Sequence, residues 1–263
     1  MPAPDTRSPL RQRLFERVRR SAAAGRAMHT TRLREAPAIV LAPGVTQRRL
    51  YTSELGRPPR PGEPQRVSLV ELAAGASWPT PALDQALQRD WLVLHGALQI
   101  GTQEIGTQEL TALDFVLLPA GEPCPTLHSA GGALLLLREA ELAAAPDAST
   151  AGIQTRRAAD ATWAGYGPGI ERCVLWQRDG QAAMLYRTVA GATVPRHVHH
   201  HDEECLMLAG DIFLDEVLLR PLDYQLAPAG SVHDSVFTDT GVLLYAHGDA
   251  DLDLQAGPGA PSG

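Results

Sequence analysis

Residues 191–210 read Gly191-Ala-Thr-Val-Pro-Arg-His197-Val-His199-His-His-Asp-Glu203-Glu-Cys-Leu-Met-Leu-Ala-Gly210, and the chain returns to the same theme at Pro228-Ala-Gly230-Ser-Val-His233. In an extended segment, side chains two residues apart share a face, so His197 and His199 point the same way. A tight turn follows, and Glu203 opens the apolar run Cys-Leu-Met-Leu, from which it can face the same interior. His233 stands behind a Pro-x-Gly turn and can enter from a third strand. Three imidazoles and one carboxylate then converge. Spacing of the type G-x5-H-x-H-x3-E-x6-G arises by chance about once in 10⁴ chains of this length. Such a donor set suits one divalent transition metal per chain (Fe, Zn, Mn, Ni or Cu, with Fe and Zn favoured). Octahedral geometry would leave two positions open for a small chelating molecule and O₂. Tetrahedral geometry would close the site as a structural zinc. Without a metal, the buried cluster would be costly to desolvate.

Outward from this stretch the pattern stays β-like. Short apolar runs such as VSLVEL, WLVL, FVLL, ALLLL, MLYRTV, CLML and VLLYA are separated by Gly and Pro, which indicates an all-β sandwich or barrel. The second half repeats the first. Pro43-Gly44-Val45 matches Pro168-Gly169-Ile170 at an offset of 125, and Ala74-Gly75-Ala76 matches Ala190-Gly191-Ala192 at 116. Leu92-Val93-Leu94-His95-Gly96 matches Leu206-Met207-Leu208-Ala209-Gly210 at 114. Leu113-Asp114 and Pro119-Ala120-Gly121 match Leu222-Asp223 and Pro228-Ala229-Gly230 at 109. The offset shrinks stepwise, as it does when loops change length and strands do not. The tandem pentapeptide Ile100–Glu104 and Ile105–Glu109 reads as a hairpin lengthened by slippage.

The 263-residue chain is 44% hydrophobic and 20% charged, with a formal charge of −7. That balance is ordinary for a globular protein and argues against a nucleic-acid coat. No stretch has the roughly 20 apolar residues of a membrane span, and the N-terminus carries no apolar core of a secretory signal. The expectation is a cytoplasmic protein away from the membrane. Cys124, Cys173 and Cys205 form neither a disulfide framework nor a zinc ribbon. All 23 basic residues are Arg, and nine of them fall in residues 1–35. Leu10, Leu14 and Val18 recur there at helical spacing, so residues 10–25 are expected to form an amphipathic helix whose stripe packs on a barrel or a second subunit.

The segment closely resembles the two motifs of the cupins, G-x5-HxH-x3,4-E-x6-G and G-x5-PxG-x2-H-x3-N, and the repeat extends the resemblance over both halves. More narrowly it is similar to the cupin domain of ChrR-type anti-sigma factors, a group that also contains acetylacetone-cleaving dioxygenases. Leu222 stands where the second motif has its first Gly, and Phe237 where it has Asn. The resemblance implies two tandem jelly-roll cupin barrels with a short N-terminal helix. The arm and helix would span 1–29, a metal-free barrel 30–145, a linker 146–155, a metal-binding barrel 156–250 and a disordered tail 251–263. It implies His197, His199, Glu203 and His233 as metal ligands. It points to a non-haem metal-dependent oxygenase acting on a small chelating substrate such as a β-dicarbonyl, or else to a non-enzymatic metal-dependent sensor. The N-terminal zinc module of ChrR-type proteins has no counterpart, since no Cys precedes Cys124. Expected partners are a small molecule at the metal, a second copy of the chain as a homodimer, and a sigma factor or other regulatory protein; nucleic acid is not expected.

The first repeat has lost these donors. Pro81, Leu83, Arg89 and Cys124 align with His197, His199, Glu203 and His233, so the first barrel should be metal-free, with Trp91 filling the vacated space. His95 and His128 read as structural histidines. In the second repeat, His200 and His201 read as solvated loop residues, Glu204 as a carboxylate facing away from the site, and Cys205 as a small core residue beside it.

Overall fold

A computed structural model describes residues 11–16, 19, 28–53, 63–80, 86–102, 106–141 and 152–254. The chain divides into two compact units. One comprises Thr31–Ala164 and Arg172–Leu185; the other comprises Gly165–Glu171 and the residues before Thr31 and after Leu185. Residues 172–185, which the repeat assigns to the C-terminal half, thus group with the N-terminal unit.

The N-terminal unit is built on one sheet. Its strands run in the order Gln154–Arg156, Phe115–Leu118, Gln88–Thr102, Ala133–Ala140, Pro64–Leu72, Val45–Thr52 and Ala38–Ala42. Alternation along these strands sends Val70, Leu72, Trp91, Val93, Leu135 and Leu137 into one core, each at most 1% exposed. Burying side chains of this size stabilises the fold by about 1.5–3 kcal/mol apiece. The pentapeptide repeat lies where a hairpin is expected: Gln88–Thr102 turns back on Gly106–Thr111, with Ile100 opposite Gln108.

The C-terminal unit contains three groups of strands. Tyr224–Ala227, Glu203–Gly210 and Val242–Asp249 lie side by side, with Thr30 at the outer edge, where its hydroxyl accepts from Gln225 Nε2 at 3.0 Å. Thr193–Val194, Val236–Phe237, Ile212–Leu214 and Val217–Leu219 form a second sheet, and Val232–His233, His197–Val198 and Asp253–Leu254 a third. Asp253–Leu254 belongs to the stretch expected to be disordered, yet it pairs with the strand carrying His197. Cys205 and Met207 face Ala246 and Leu244 across the ladder and share their core.

The duplication is visible in the backbone. In the first repeat the pairing of Gln88–Thr102 skips Leu94, and in the second the pairing of Glu203–Gly210 skips the equivalent Leu208, so both carry a bulge at the same place. Gly96 and Gly210 follow the bulges with φ of 75° each. A Cβ would stand 2.1 Å from the Gly132 carbonyl oxygen at the first and 1.9 Å from that of Gly241 at the second. Only glycine admits that approach. None of the described sheets closes on itself, so each unit is an open β-sandwich of the jelly-roll kind rather than a closed barrel. Residues 11–16 are helical, as expected; Leu10 and Val18 of the apolar stripe lie outside the described residues, and Leu14 is 55% exposed in the single chain. No helix among the described residues is long and apolar enough to cross a membrane.

Candidate metal centre

Strand pairing assembles the site. His197 lies directly opposite His233 across an antiparallel pair, so both side chains leave the same face. His199 follows one residue beyond the strand, and its backbone is pinned by bonds from its N–H to the Ser231 carbonyl and from the Gly230 N–H to its own carbonyl. Glu203 enters from the neighbouring strand, opposite Ala227. The donor atoms of His197, His199 and Glu203 all lie within 4.8 Å of one another. His233 stands beside this triad, its ring centroid 5.0 Å from that of His199 and 5.5 Å from that of His197. The three imidazoles are buried, none more than 2% exposed.

Two of the rings are held by groups that sequence reasoning did not find. His197 Nδ1 lies 2.9 Å from the Pro195 carbonyl oxygen, and His233 Nδ1 lies 3.0 Å from Asp215 Oδ2. The other Asp215 oxygen accepts from the backbone N–H groups of Asp234 and Ser235. Anchoring Nδ1 in each ring leaves Nε2 for the interior, which is how metal-ligating histidines are oriented. Asp215 sits at a turn with φ of 54°, a position Asp tolerates. Nothing in the sequence marks its pairing with His233, 18 residues away. Asp249 is a further unforeseen anchor. It accepts from the His200 N–H at 2.7 Å and lies 2.6 Å from His201 Nδ1, so His201 is a partnered turn residue rather than a solvated one. Gly248 packs so closely that a Cβ there would meet Glu203 Cα, Cβ and Cγ at 3.2 Å each.

The electrostatics follow from burial and proximity. Burial works to raise the Glu203 carboxyl, but the imidazoles of His199, His197 and His233 outweigh it and hold the group at about 2. Burial pulls His197 below the ordinary histidine value against the Glu203 carboxylate. His199 is also desolvated, yet the Glu203 carboxylate raises it above that value. The His199 Nδ1 lies 3.2 Å from Glu203 Oε2. Even so, neither His199 ring nitrogen has an aligned hydrogen-bond partner, and both are buried. A buried imidazole with two orphaned nitrogens against an ionised carboxylate is an unfavourable arrangement. A cation satisfies it, and three imidazoles with one carboxylate are the donors such a cation prefers. The donor set therefore fits a transition metal.

A cavity opens on this cluster, with His197, Glu203 and His233 in its wall. Cys205 also lines it, and burial pushes its thiol well above the ordinary value, as expected of an inert core residue. Glu204 faces away from the cluster as expected; it is 1% exposed and accepts from the Tyr224 hydroxyl at 3.1 Å.

Residues 152–250 match the family model of the ChrR cupin-like domain. The segment that carries the candidate metal centre is thus similar to a cupin domain. No curated protein is detectably similar in sequence. Among solved structures, a candidate dioxygenase from Nostoc punctiforme aligns at 17% identity over 81% of this chain and 78% of its own length, with a TM-score of 0.62. The nickel(II) complex of the pirin YhhW from Escherichia coli aligns at 10% identity over 85% and 98%, with a TM-score of 0.60. A mutant of the Bacillus subtilis oxalate decarboxylase OxdC aligns at 13% identity over 85% and 77%, with a TM-score of 0.56. At these identities the likeness is one of fold.

In the N-terminal unit, Pro81 and Leu83 lie outside the described residues. Arg89 and Cys124 do come together: Arg89 is fully buried and donates Nη1 to Cys124 Sγ at 2.7 Å and Nη2 to the Glu122 carbonyl at 2.7 Å. Trp91 is buried in the core as expected. His128 Nδ1 lies 3.0 Å from the Ser77 hydroxyl, and His95 is exposed. Among the described residues, the triad of the C-terminal unit is the one cluster with metal-ligand spacing.

Proposed function

We propose that the C-terminal unit holds one divalent transition metal, with Fe or Zn favoured over Mn, Ni and Cu, through His197, His199, Glu203 and His233. On this reading the protein is a non-haem oxygenase acting on a small chelating substrate such as a β-dicarbonyl. The observation that carries the metal is the convergence of the His197, His199 and Glu203 donors within 4.8 Å of one another, with neither buried His199 nitrogen in an aligned hydrogen bond. The cavity at the cluster supports turnover rather than a closed structural site. When bound, the metal supplies Lewis-acid polarisation of the chelated oxygens and a centre for O₂ chemistry. The chain's own residues do the rest. Asp215 and the Pro195 carbonyl fix the His233 and His197 rings. Glu203 stays ionised and lowers the net charge of the centre. The apolar cavity wall keeps water from the reacting atoms.

A second reading, a metal-dependent sensor without turnover, is favoured by the match of 152–250 to the ChrR cupin-like domain. It would act through contact with a sigma factor or another regulatory protein. In either case we take the protein as a cytoplasmic homodimer; its three unpaired cysteines suit a reducing compartment. Elemental analysis of protein purified without chelator, with oxygen uptake on 1,3-dicarbonyls, separates the readings. One metal per chain with oxygen consumption supports the enzyme, one metal without consumption of any dicarbonyl supports the sensor, and no metal removes both.

A further inference from the structure

We infer that the N-terminal unit holds a second ligand site, which binds a short dicarboxylate between Arg49 and Arg89. The site is independent of the metal centre. Sheet register places its groups. Glu139 lies opposite Arg89 on one neighbouring strand and opposite Arg66 on the other. Two residues along, Leu137 lies opposite Trp91 and Ser68, and Ser68 lies opposite Arg49. Residues that face one another across a ladder share a face of the sheet. The three arginines and Glu139 therefore stand on the face of the apolar core, at the end where the Arg66 side chain is 33% exposed. Their hydrogen bonds do not close. Glu139 accepts from Arg66 Nε at 2.9 Å and from Nη2 at 3.0 Å, so both carboxylate oxygens are engaged. Arg49 donates Nη2 to Gln47 Oε1 at a long 3.4 Å, and its buried Nη1 has no partner. Arg89 gives Nη1 to the Cys124 thiol and Nη2 to the Glu122 carbonyl, while its buried Nε has no partner. A thiol is a weak acceptor, and burial pushes that of Cys124 above its ordinary value, so it brings no charge. Among the described residues, Arg49 and Arg89 thus have no carboxylate of their own. Desolvated cations in that state are costly, and an anion completes them. Arg49 and Arg89 rise from strands with two others between them, three spacings of about 4.8 Å each. Each guanidinium fork matches one carboxylate, so two forks set apart call for two carboxylates on a short linker. A lone phosphate would concentrate its charge at one fork.

The test is calorimetry on the full chain at fixed ionic strength, in buffer free of carboxylate and phosphate, with succinate, acetate and inorganic phosphate as probes. Each titration is repeated on His199→Ala, which lacks a donor of the C-terminal centre. Both chains are expected to bind one succinate, at least about tenfold more tightly than acetate or phosphate. Arg49→Gln, at a half-buried position, is expected to weaken succinate at least about tenfold with the circular dichroism of the wild type. Arg89→Gln is expected to do the same, and Arg49→Gln carries the test alone should the fully buried Arg89 be needed for folding. Succinate binding that disappears in His199→Ala would belong to the metal centre and overturn the inference. So would phosphate bound as tightly as succinate, an affinity untouched by Arg49→Gln, or no succinate binding at all.

Discussion

Where the C-terminal unit has Glu203 and His233, the N-terminal unit has Arg89 and Cys124, and the two pairs make opposite use of equivalent positions. Glu203 is an ionised carboxylate facing imidazoles, one of which lacks any aligned partner. Arg89 is a buried cation whose terminal nitrogens are taken by the Cys124 thiol and by the Glu122 and Pro119 carbonyls. One arrangement asks for a cation and the other supplies its own. The scaffold around them is the same to the level of single residues. The bulges at Leu94 and Leu208 correspond, the Leu113 N–H reaches the Val93 carbonyl as the Leu222 N–H reaches that of Met207, and Gly96 and Gly210 share one φ. The two units thus share bulges, turns and apolar packing around different side chains, an Arg–Cys pair in one and candidate metal donors in the other.

The sharpest way to break this comparison is at the donors. His199→Ala should reduce metal content from one per chain to background. It should also lose the metal-linked stabilisation, about 2.7 kcal/mol where free metal stands at a hundred times Kd. Arg89→Ala with Cys124→Ser should leave stoichiometry unchanged, as read by elemental analysis and thermal melts with and without chelator. Two metals per wild-type chain would show that the units are less different than their residues imply. Next come the paired glycines. Gly96→Ala and Gly210→Ala each drive a Cβ into a backbone carbonyl at positive φ, and each should cost about 3 kcal/mol or more in urea unfolding. Equal costs support equivalent roles, and a neutral Gly210→Ala would contradict the contact with Gly241.

A smaller effect concerns pH. Burial works to raise the Asp114 carboxyl, but backbone N–H bonds from Thr111 and Ala158, and the Arg157 guanidinium, hold it below the ordinary value. A carboxyl lowered in the folded state stabilises it above the unfolded-state pKa, and that contribution fades as pH falls toward the folded-state value. The gap in melting temperature between wild type and Asp114→Asn should therefore be open at pH 7 and narrow below about pH 4. A gap independent of pH would mean that the hydrogen bonds act without the charge. The smallest effect is expected at Leu113 and Leu222, which take left-handed φ of 69° and 67°. Changing either to Gly should be neutral or stabilising by less than about 1 kcal/mol. Loss of stability at one and not the other would mark where the repeats have diverged.

Much of this was legible in the residues. Period-two runs gave the strands, because alternation is a local property of the pleat. His-x-His and the following Glu gave the triad, because short spacing on neighbouring strands fixes their face. The cavity-side anchors were not legible. Asp215 lies 18 residues from His233 and Asp249 lies 48 from His201, and nothing local says which turn meets which ring. The grouping of residues 172–185 with the N-terminal unit escaped for the same reason, since a repeat in sequence records ancestry of strands and not the neighbours they acquire. Glu204 was rightly turned from the metal, but alternation says only which way a side chain leaves the sheet, not that Tyr224 waits there to bind it.

The two-residue strand Asp253–Leu254, laid against His197–Val198, bears on how the protein should be handled. Truncation before Asp253 would remove a strand from the ladder that positions His197, and any polyhistidine handle brings nitrogen donors that compete in a metal assay. Recombinant material meant for metal assays is better tagged at the opposite end and cleaved before loading.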